Sequence, residues 1–280
     1  MPFSEVAEEL AEARLTYVGP AGLLDMVDGL HLTVPQQEIL AAIPDPVLRE
    51  SARDLMMGQT FRRDLWVKGP MRMSALARME ALDGLVVMLQ VHADGLVSTV
   101  QGGLGELTLN DEIYRPIVTF LSDHAPRQVR EIVALPELAS CTRFQVEQAI
   151  TVLLGKGDLV TVLDEAASSR AQAPTRRLNR AFWQMARDRK DLPILASPVS
   201  GGGVRVERLN QLHLAARAAG VQSAEDLARH VFMVLRSQGE LLLRDGVAVE
   251  SDDETMMLLT EGAELFLTRS VPLLEALGIY

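Results

Sequence analysis

The chain has 280 residues, 48% of them apolar, and its 27 basic and 38 acidic residues leave a net charge of −11. That length suits about two domains with ordinary buried cores. The acidic balance argues against a duplex nucleic-acid binder, whose footprint is basic. A single cysteine, Cys141, cannot form an internal disulfide and suits a reducing cytosol, so a cytoplasmic location is expected. The N-terminus, MPFSEVAEELAE, is acidic and without the apolar run of a signal peptide. No apolar run approaches the ~18 residues of a membrane span.

In chain order, Phe3, Val6, Leu10, Ala13 and Tyr17 recur at helical spacing, and Gly19-Pro20 ends that helix. A second short helix is expected over 22–28. Thr33-Val34-Pro35-Gln36 is a capping box with an early proline and opens a helix to Ala42. Asp45-Pro46 opens the next, to about Gly58. The period then changes. Phe61, Leu65 and Val67 alternate with Arg62, Asp64 and Lys68, predicting a strand that needs a pairing partner. A helix over 74–82 precedes strand-like runs at 85–92, 96–100 and 106–109. Gly102-Gly103 and Gly105 join the last two as a hairpin.

Helices over 110–121, 127–135 and 142–154, followed by a strand over 158–163, read as a winged helix-turn-helix. The small, polar stretch DEAASSRAQAP (164–174) reads as a linker. Beyond it the patterns predict a helix over 175–189, a strand-like run at 192–196 and a glycine cluster at Gly201–Gly203. Further helices follow over 206–219, 223–238, 254–268 and 271–277, with a strand at 241–243 between the second and third.

The best candidates for contact with another surface are Gln59, Arg62, Arg63, Asp64, Trp66 and Lys68. Arginine grips carboxylates bidentately, so an acidic loop or a catalytic domain is a fitting partner. The alternative is an internal ion pair of Arg62 or Arg63 with Asp54 or Asp64 that orders the strand. Seven cations lie between Arg170 and Lys190, and such a run is most often a solvated face. The glycine cluster has no acid-ended strand after it, so it reads as a plain loop and not a cofactor cradle. His31, His92, His124, His213 and His230 form no metal-binding spacing. Cys141 has no histidine close in sequence and reads as a packed residue. The acidic run Glu250–Glu254 lacks the glycine turn of a calcium loop and reads as a helix start. No catalytic residue, cofactor-binding residue or metal ligand is assigned.

The stretch ESARDLMMGQTFRRDLWVKG (50–69) resembles the methyltransferase regulatory region of bacterial protein-lysine-type methyltransferases. PFSEVAEELAEARLTYVG, LLD and PDPVLRESARD look like the same region. RRLNRA (176–181), LASPVSGGGV (195–204) and PLLEALGI (272–279) look like the C-terminal region of those proteins. The resemblance implies a chain that starts where a Rossmann-like SAM-binding domain would have ended. It would then be a free-standing subunit or a piece of a longer protein.

The combined expectation is a helix-dominated α+β chain in three parts. These are a regulatory segment with a small sheet (1–92), a winged-helix-like segment (93–165) and a helical C-terminal segment (166–280). The function implied by the resemblance is a non-catalytic module that regulates a SAM-dependent methyltransferase domain or recruits its protein substrate. SAM belongs to the partner domain, with no cofactor in this chain. The alternative is a winged-helix DNA-binding regulator, although nucleic acid fits the charge poorly.

Overall fold

The structure, a computed structural model, describes residues 1–244 and 246–280. The chain is α+β and helix-dominated, and it divides into two compact units, Met1–Val160 and Thr161–Tyr280.

The first unit opens with α1 (Phe3–Glu12) and β1 (Leu15–Pro20), followed by two single 3-10 turns at Leu24–Met26 and Asp28–Leu30. The helical spacing read through Tyr17 is therefore corrected. The chain leaves the helix at Arg14, which takes a left-handed φ of 58°, and Tyr17 lies in a strand. The spacing was coincidental, and strand pairing won over it. Helices α2 (Val34–Ala41) and α3 (Pro46–Met57) start where their caps placed them, with Asp45 accepting from the Leu48 N–H at 2.7 Å. Gly58, left-handed at φ 62°, ends α3. The strand expected over 61–68 is β2 (Asp64–Lys68), and its antiparallel partner is β1, in the register Tyr17 opposite Trp66.

Next come α4 (Ala75–Asp83), β3 (Val86–Leu89) and the hairpin β4 (Thr99–Gly102) and β5 (Gly105–Thr108). A side chain at Gly102 would meet the Leu30 carbonyl at 2.0 Å, so the hairpin lies directly on the 3-10 turn. Helices α5 (Asp111–Phe120), α6 (Val129–Val133) and α7 (Arg143–Lys156) alternate with short β6 (Arg127–Gln128) and β7 (Leu159–Thr161). The sheet order is β6-β3-β7. Val87, Leu89, Ile117, Ile132, Ile150 and Leu153 form the core between these helices and the sheet. The apolar stripes that predicted α5 and α7 are thus their buried faces.

In the second unit the expected linker is corrected. Residues 165–185 form one helix, α8 (Glu165–Met185), capped by Asp164 accepting from the Ala167 N–H at 2.8 Å. Small, polar composition suggested a loop, but alanine is the best helix former, and Pro174 sits within the helix without ending it. The hairpin β8 (Ile194–Ala196) and β9 (Gly203–Arg205) holds the glycine cluster as its turn. The elements α9 (Arg208–Ala218), α10 (Ala224–Ser237), β10 (Leu243–Arg244), β11 (Val247–Ala248) and α11 (Asp252–Leu265) follow. A π-helical turn at Phe266–Ser270 then leads into α12 (Val271–Ala276).

Three distant stretches meet inside this unit. Asn179 of α8 is fully buried and donates to the Ala196 carbonyl at 2.8 Å and the Ile279 carbonyl at 3.3 Å. Its amide oxygen accepts from the Ala196 N–H. Ser197 donates to the Leu277 carbonyl at 2.7 Å and accepts from the Val199 and Ser200 N–H groups. Gly278 is left-handed, and a side chain there would meet Pro198 at 2.8 Å. RRLNRA, LASPVSGGGV and PLLEALGI are therefore one hydrogen-bonded knot.

Candidate partner-binding surface

Helix α3 presents Glu50, Arg53 and Asp54 at i, i+3 and i+4, which puts them on one face. Arg53 is buried and donates to the Asp28 carboxylate at 3.1 Å and the Asp25 carbonyl at 2.5 Å. It thereby ties the 3-10 turns to the helix.

Glu50 and Asp54 reach the other way, to Arg62. The Arg62 guanidinium donates to Asp54 at 2.5 Å, to Asp64 at 2.9 and 3.1 Å, and to Glu50 at 3.0 Å. It also donates to the Tyr17 hydroxyl at 2.9 Å, which in turn donates to Glu50 at 3.1 Å. Its carbon lies 4.4 Å from the Phe3 ring centre. Phe3, Tyr17 and Trp66 pack as an aromatic trio, with ring centres 4.9–5.7 Å apart.

Burial opposes the Arg62 charge, but the bonds from Asp64 and Glu50 and the charge of Asp54 more than offset it and hold its pKa above the usual value. Burial and then the Glu50 carboxylate push the Tyr17 phenol up. Burial also raises the Asp54 carboxyl, and Arg62 only partly counters it. These groups form a fixed internal network rather than an acid or base held ready to react.

The six candidate residues separate into two sets. Arg62, Asp64 and Trp66 face inward and hold the β1–β2 ribbon on α1 and α3. Arg63, Lys68 and Gln59 are exposed. Gln59 bonds the Phe61 carbonyl at 2.6 Å, whereas the Arg63 and Lys68 side chains have no ion-pair partner among the described residues. On the outer side of the ribbon, Val18, Leu65 and Val67 are also exposed, giving an apolar face with Arg63 at its margin, while Lys68 ends the strand on the side of Asp64 and Trp66. Around the ribbon's end lies a groove of about 800 Å³ lined by Met1, Phe3, Val6, Leu55, Phe61 and Trp66. Leu55 and Phe61 are 85% and 74% exposed there.

The roles of Arg53, Tyr17 and Phe3 were not read from the sequence. The only local signal was the acid–base spacing in RESARD, since Arg53 and Tyr17 bond residues 25 to 45 positions away and Phe3 packs on Trp66, 63 positions away.

Residues 1–68 match the family model described as "Predicted methyltransferase regulatory domain". This regulatory-domain match ends on the last residue of β2, so it contains the whole Arg53 and Arg62 network. Over 277 residues the chain is 32% identical to a protein of Synechocystis sp. (strain ATCC 27184 / PCC 6803 / Kazusa) described as "Uncharacterized protein sll1526". That similarity covers 99% of this chain and 54% of the relative, so the chain spans about half of that protein's length. Among solved structures, PKMT2 from Rickettsia typhi in complex with AdoHcy is similar with a TM-score of 0.58 at 14% identity. It is covered over 58% of its chain, against 99% of this one. A second structure of PKMT2 gives a TM-score of 0.51 at 13% identity. At those identities the likeness is one of fold.

The other motifs have structural roles. The His31 ring accepts from the Gly103 N–H at 3.0 Å, so its other nitrogen is the one that donates to the Leu24 carbonyl. The turn amides of the glycine cluster bond within their own hairpin, Gly201 to the Ser197 carbonyl and Gly202 to the Ser200 hydroxyl. Cys141 packs against the first unit's core. Among the described residues no group of three or more His, Cys, Asp or Glu is placed to hold a metal, and no helix is long and apolar enough to cross a membrane.

Proposed function

We propose that this chain is a non-catalytic module that associates with a SAM-dependent, protein-modifying methyltransferase domain and regulates it or recruits its substrate. The observation that carries this reading is the regulatory-domain match over residues 1–68, a stretch in which Arg53 and Arg62 are spent on its own architecture. The fold likeness to PKMT2, a protein solved with AdoHcy, supports the link to methyl transfer. Donor sites built on dinucleotide-type folds use an open parallel sheet with a glycine-rich turn. The described residues instead form sheets of two or three strands, with the glycine cluster closed into a hairpin.

On this reading the outer β1–β2 face is the docking surface, with Arg63 meeting a carboxylate of the catalytic domain and Lys68 adding charge at the strand's end. The helices and sheet from α5 to β7 act as a winged helix that packs on protein. Titration calorimetry of SAM into the chain alone should give no saturable heat, and micromolar binding would overturn the reading. Arg63→Ala should weaken association with a methyltransferase domain supplied in trans while leaving the melting temperature unchanged. An equal association of variant and parent would remove the docking face from the proposal.

A further inference from the structure

We propose that the outer face of α8 docks an acidic segment of a protein partner, a binding surface separate from the β1–β2 face and independent of the methyltransferase reading. Arg170, Arg176, Arg177 and Arg180 are all exposed. At 3.6 residues per turn they fall within an arc of about 120°. The buried residues of the helix, Trp183 and Asn179, fall about 20° and 60° beyond Arg176, past one edge of that arc. The helix has one acidic residue, Glu165, a turn or more before the first of the four arginines.

None of the four has an ion-pair, hydrogen-bond or aromatic partner among the described residues. Several other exposed arginines of the same unit are matched locally, as in Arg189 with Asp191 at 2.6 Å, Arg205 with Glu207 at 2.6 Å and Arg229 with Asp226 at 2.5 Å. Arg176 and Arg180 are an i, i+4 pair and Arg177 and Arg180 an i, i+3 pair, so the like charges weaken the helix that carries them. An acidic ligand removes that repulsion and supplies carboxylates to guanidinium groups that take them bidentately.

Charge decides between an acidic peptide and a nucleic acid. A nucleic acid carries a long array of phosphates and depends on many neutralising contacts. Four arginines offer few such contacts, and the unit that carries them holds 14 basic against 16 acidic residues, so no wider basic footprint adds to them. A short carboxylate-bearing segment can occupy the face without meeting the rest of the charge.

The test uses the full chain and fluorescence anisotropy with a labelled glutamate-rich peptide, a matched glutamine-rich peptide and a short DNA duplex. The glutamate peptide should bind, the glutamine peptide should not, and binding should weaken as salt rises. Replacing Arg176, Arg177 and Arg180 together by Gln should lower the affinity by at least about tenfold with unchanged far-UV circular dichroism. The single Arg177→Gln should lower it in the same direction, and Arg229→Gln, on α10, should not. No binding of the glutamate peptide, or binding indifferent to the α8 substitutions, overturns the proposal. Tighter binding of the duplex that is lost in the triple variant overturns it in favour of nucleic acid.

Discussion

Without the Arg62 guanidinium, Glu50, Asp54 and Asp64 would face one another with side chains only 10–19% exposed. Removing one partner of a buried ion cluster leaves uncompensated charge and destabilises by about 3–5 kcal/mol. Arg62→Ala should therefore lower stability by roughly that amount in urea unfolding. Arg63→Ala, one residue on, should stay within about 0.5 kcal/mol because its side chain is exposed and unpaired. Equal effects of the two substitutions would refute the network as drawn.

His213 of α9 gives the second residue-scale prediction. Its ring is buried 4.9 Å from Phe266, with neither nitrogen hydrogen-bonded among the described residues. Burial, and then the charge of His230, lower its pKa from 6.5 to about 4. The unfolded chain thus binds the extra proton first, and stability is lost as pH falls from about 6.5 toward 4. At pH 4.5 the loss relative to pH 7 is on the order of 2–3 kcal/mol. His213→Leu should remove that share of the pH dependence, read from urea midpoints at the two values. An unchanged difference would show that the ring is solvated.

At the scale of elements, legibility followed the range of the interactions. Helices α2, α3, α7 and α10 were placed by Thr33, Asp45, Thr142 and Ser223, because a cap bonds an amide two or three residues away and so leaves a mark in the sequence. The hairpin of β4 and β5 was readable from its glycines for the same reason. Strand β1 was not. Ala13 and Tyr17 continue the spacing of α1, and what makes Leu15–Pro20 a strand is β2, about fifty residues later. Helix α8 was misread because composition alone does not separate an alanine-rich helix from a small polar loop; the Asp164 cap was the overlooked signal.

The candidate site shows the same division. The clustering of Arg62, Asp64 and Trp66 was visible, and the ion pairs with Asp54 and Asp64 were one of two readings left open. The inward set became apparent only once Tyr17 and Glu50 were placed, 45 and 12 residues from Arg62. In the second unit, the bonds from Asn179 to Ile279 and from Ser197 to Leu277 span 100 and 80 residues, which leaves no periodic or capping signature to read.

At the scale of the molecule, charge bears on the DNA-binding alternative. Of the 27 basic and 38 acidic residues, Met1–Val160 holds 13 and 22, so nine of the eleven excess negative charges lie in the unit that contains α5, α6 and α7. The outer face of α7 offers Arg143, and that guanidinium is already bonded to Asp83 at 2.6 Å and Glu147 at 2.7 Å. Recognition helices work only where phosphate contacts supply the underlying affinity, and those contacts come from free lysines and arginines. A surface of this sign repels a duplex over a distance that lengthens as salt is diluted, from about 10 Å at 0.1 M to about 30 Å at 0.01 M. Gel-shift titration of a random-sequence duplex should therefore show no complex even at low ionic strength, where a phosphate-binding face would be at its strongest. A shifted band that fades steeply with added salt would mean that free cations reach the phosphates despite the −11 charge, and the segment from α5 to β7 would then have to be read as a DNA-binding one.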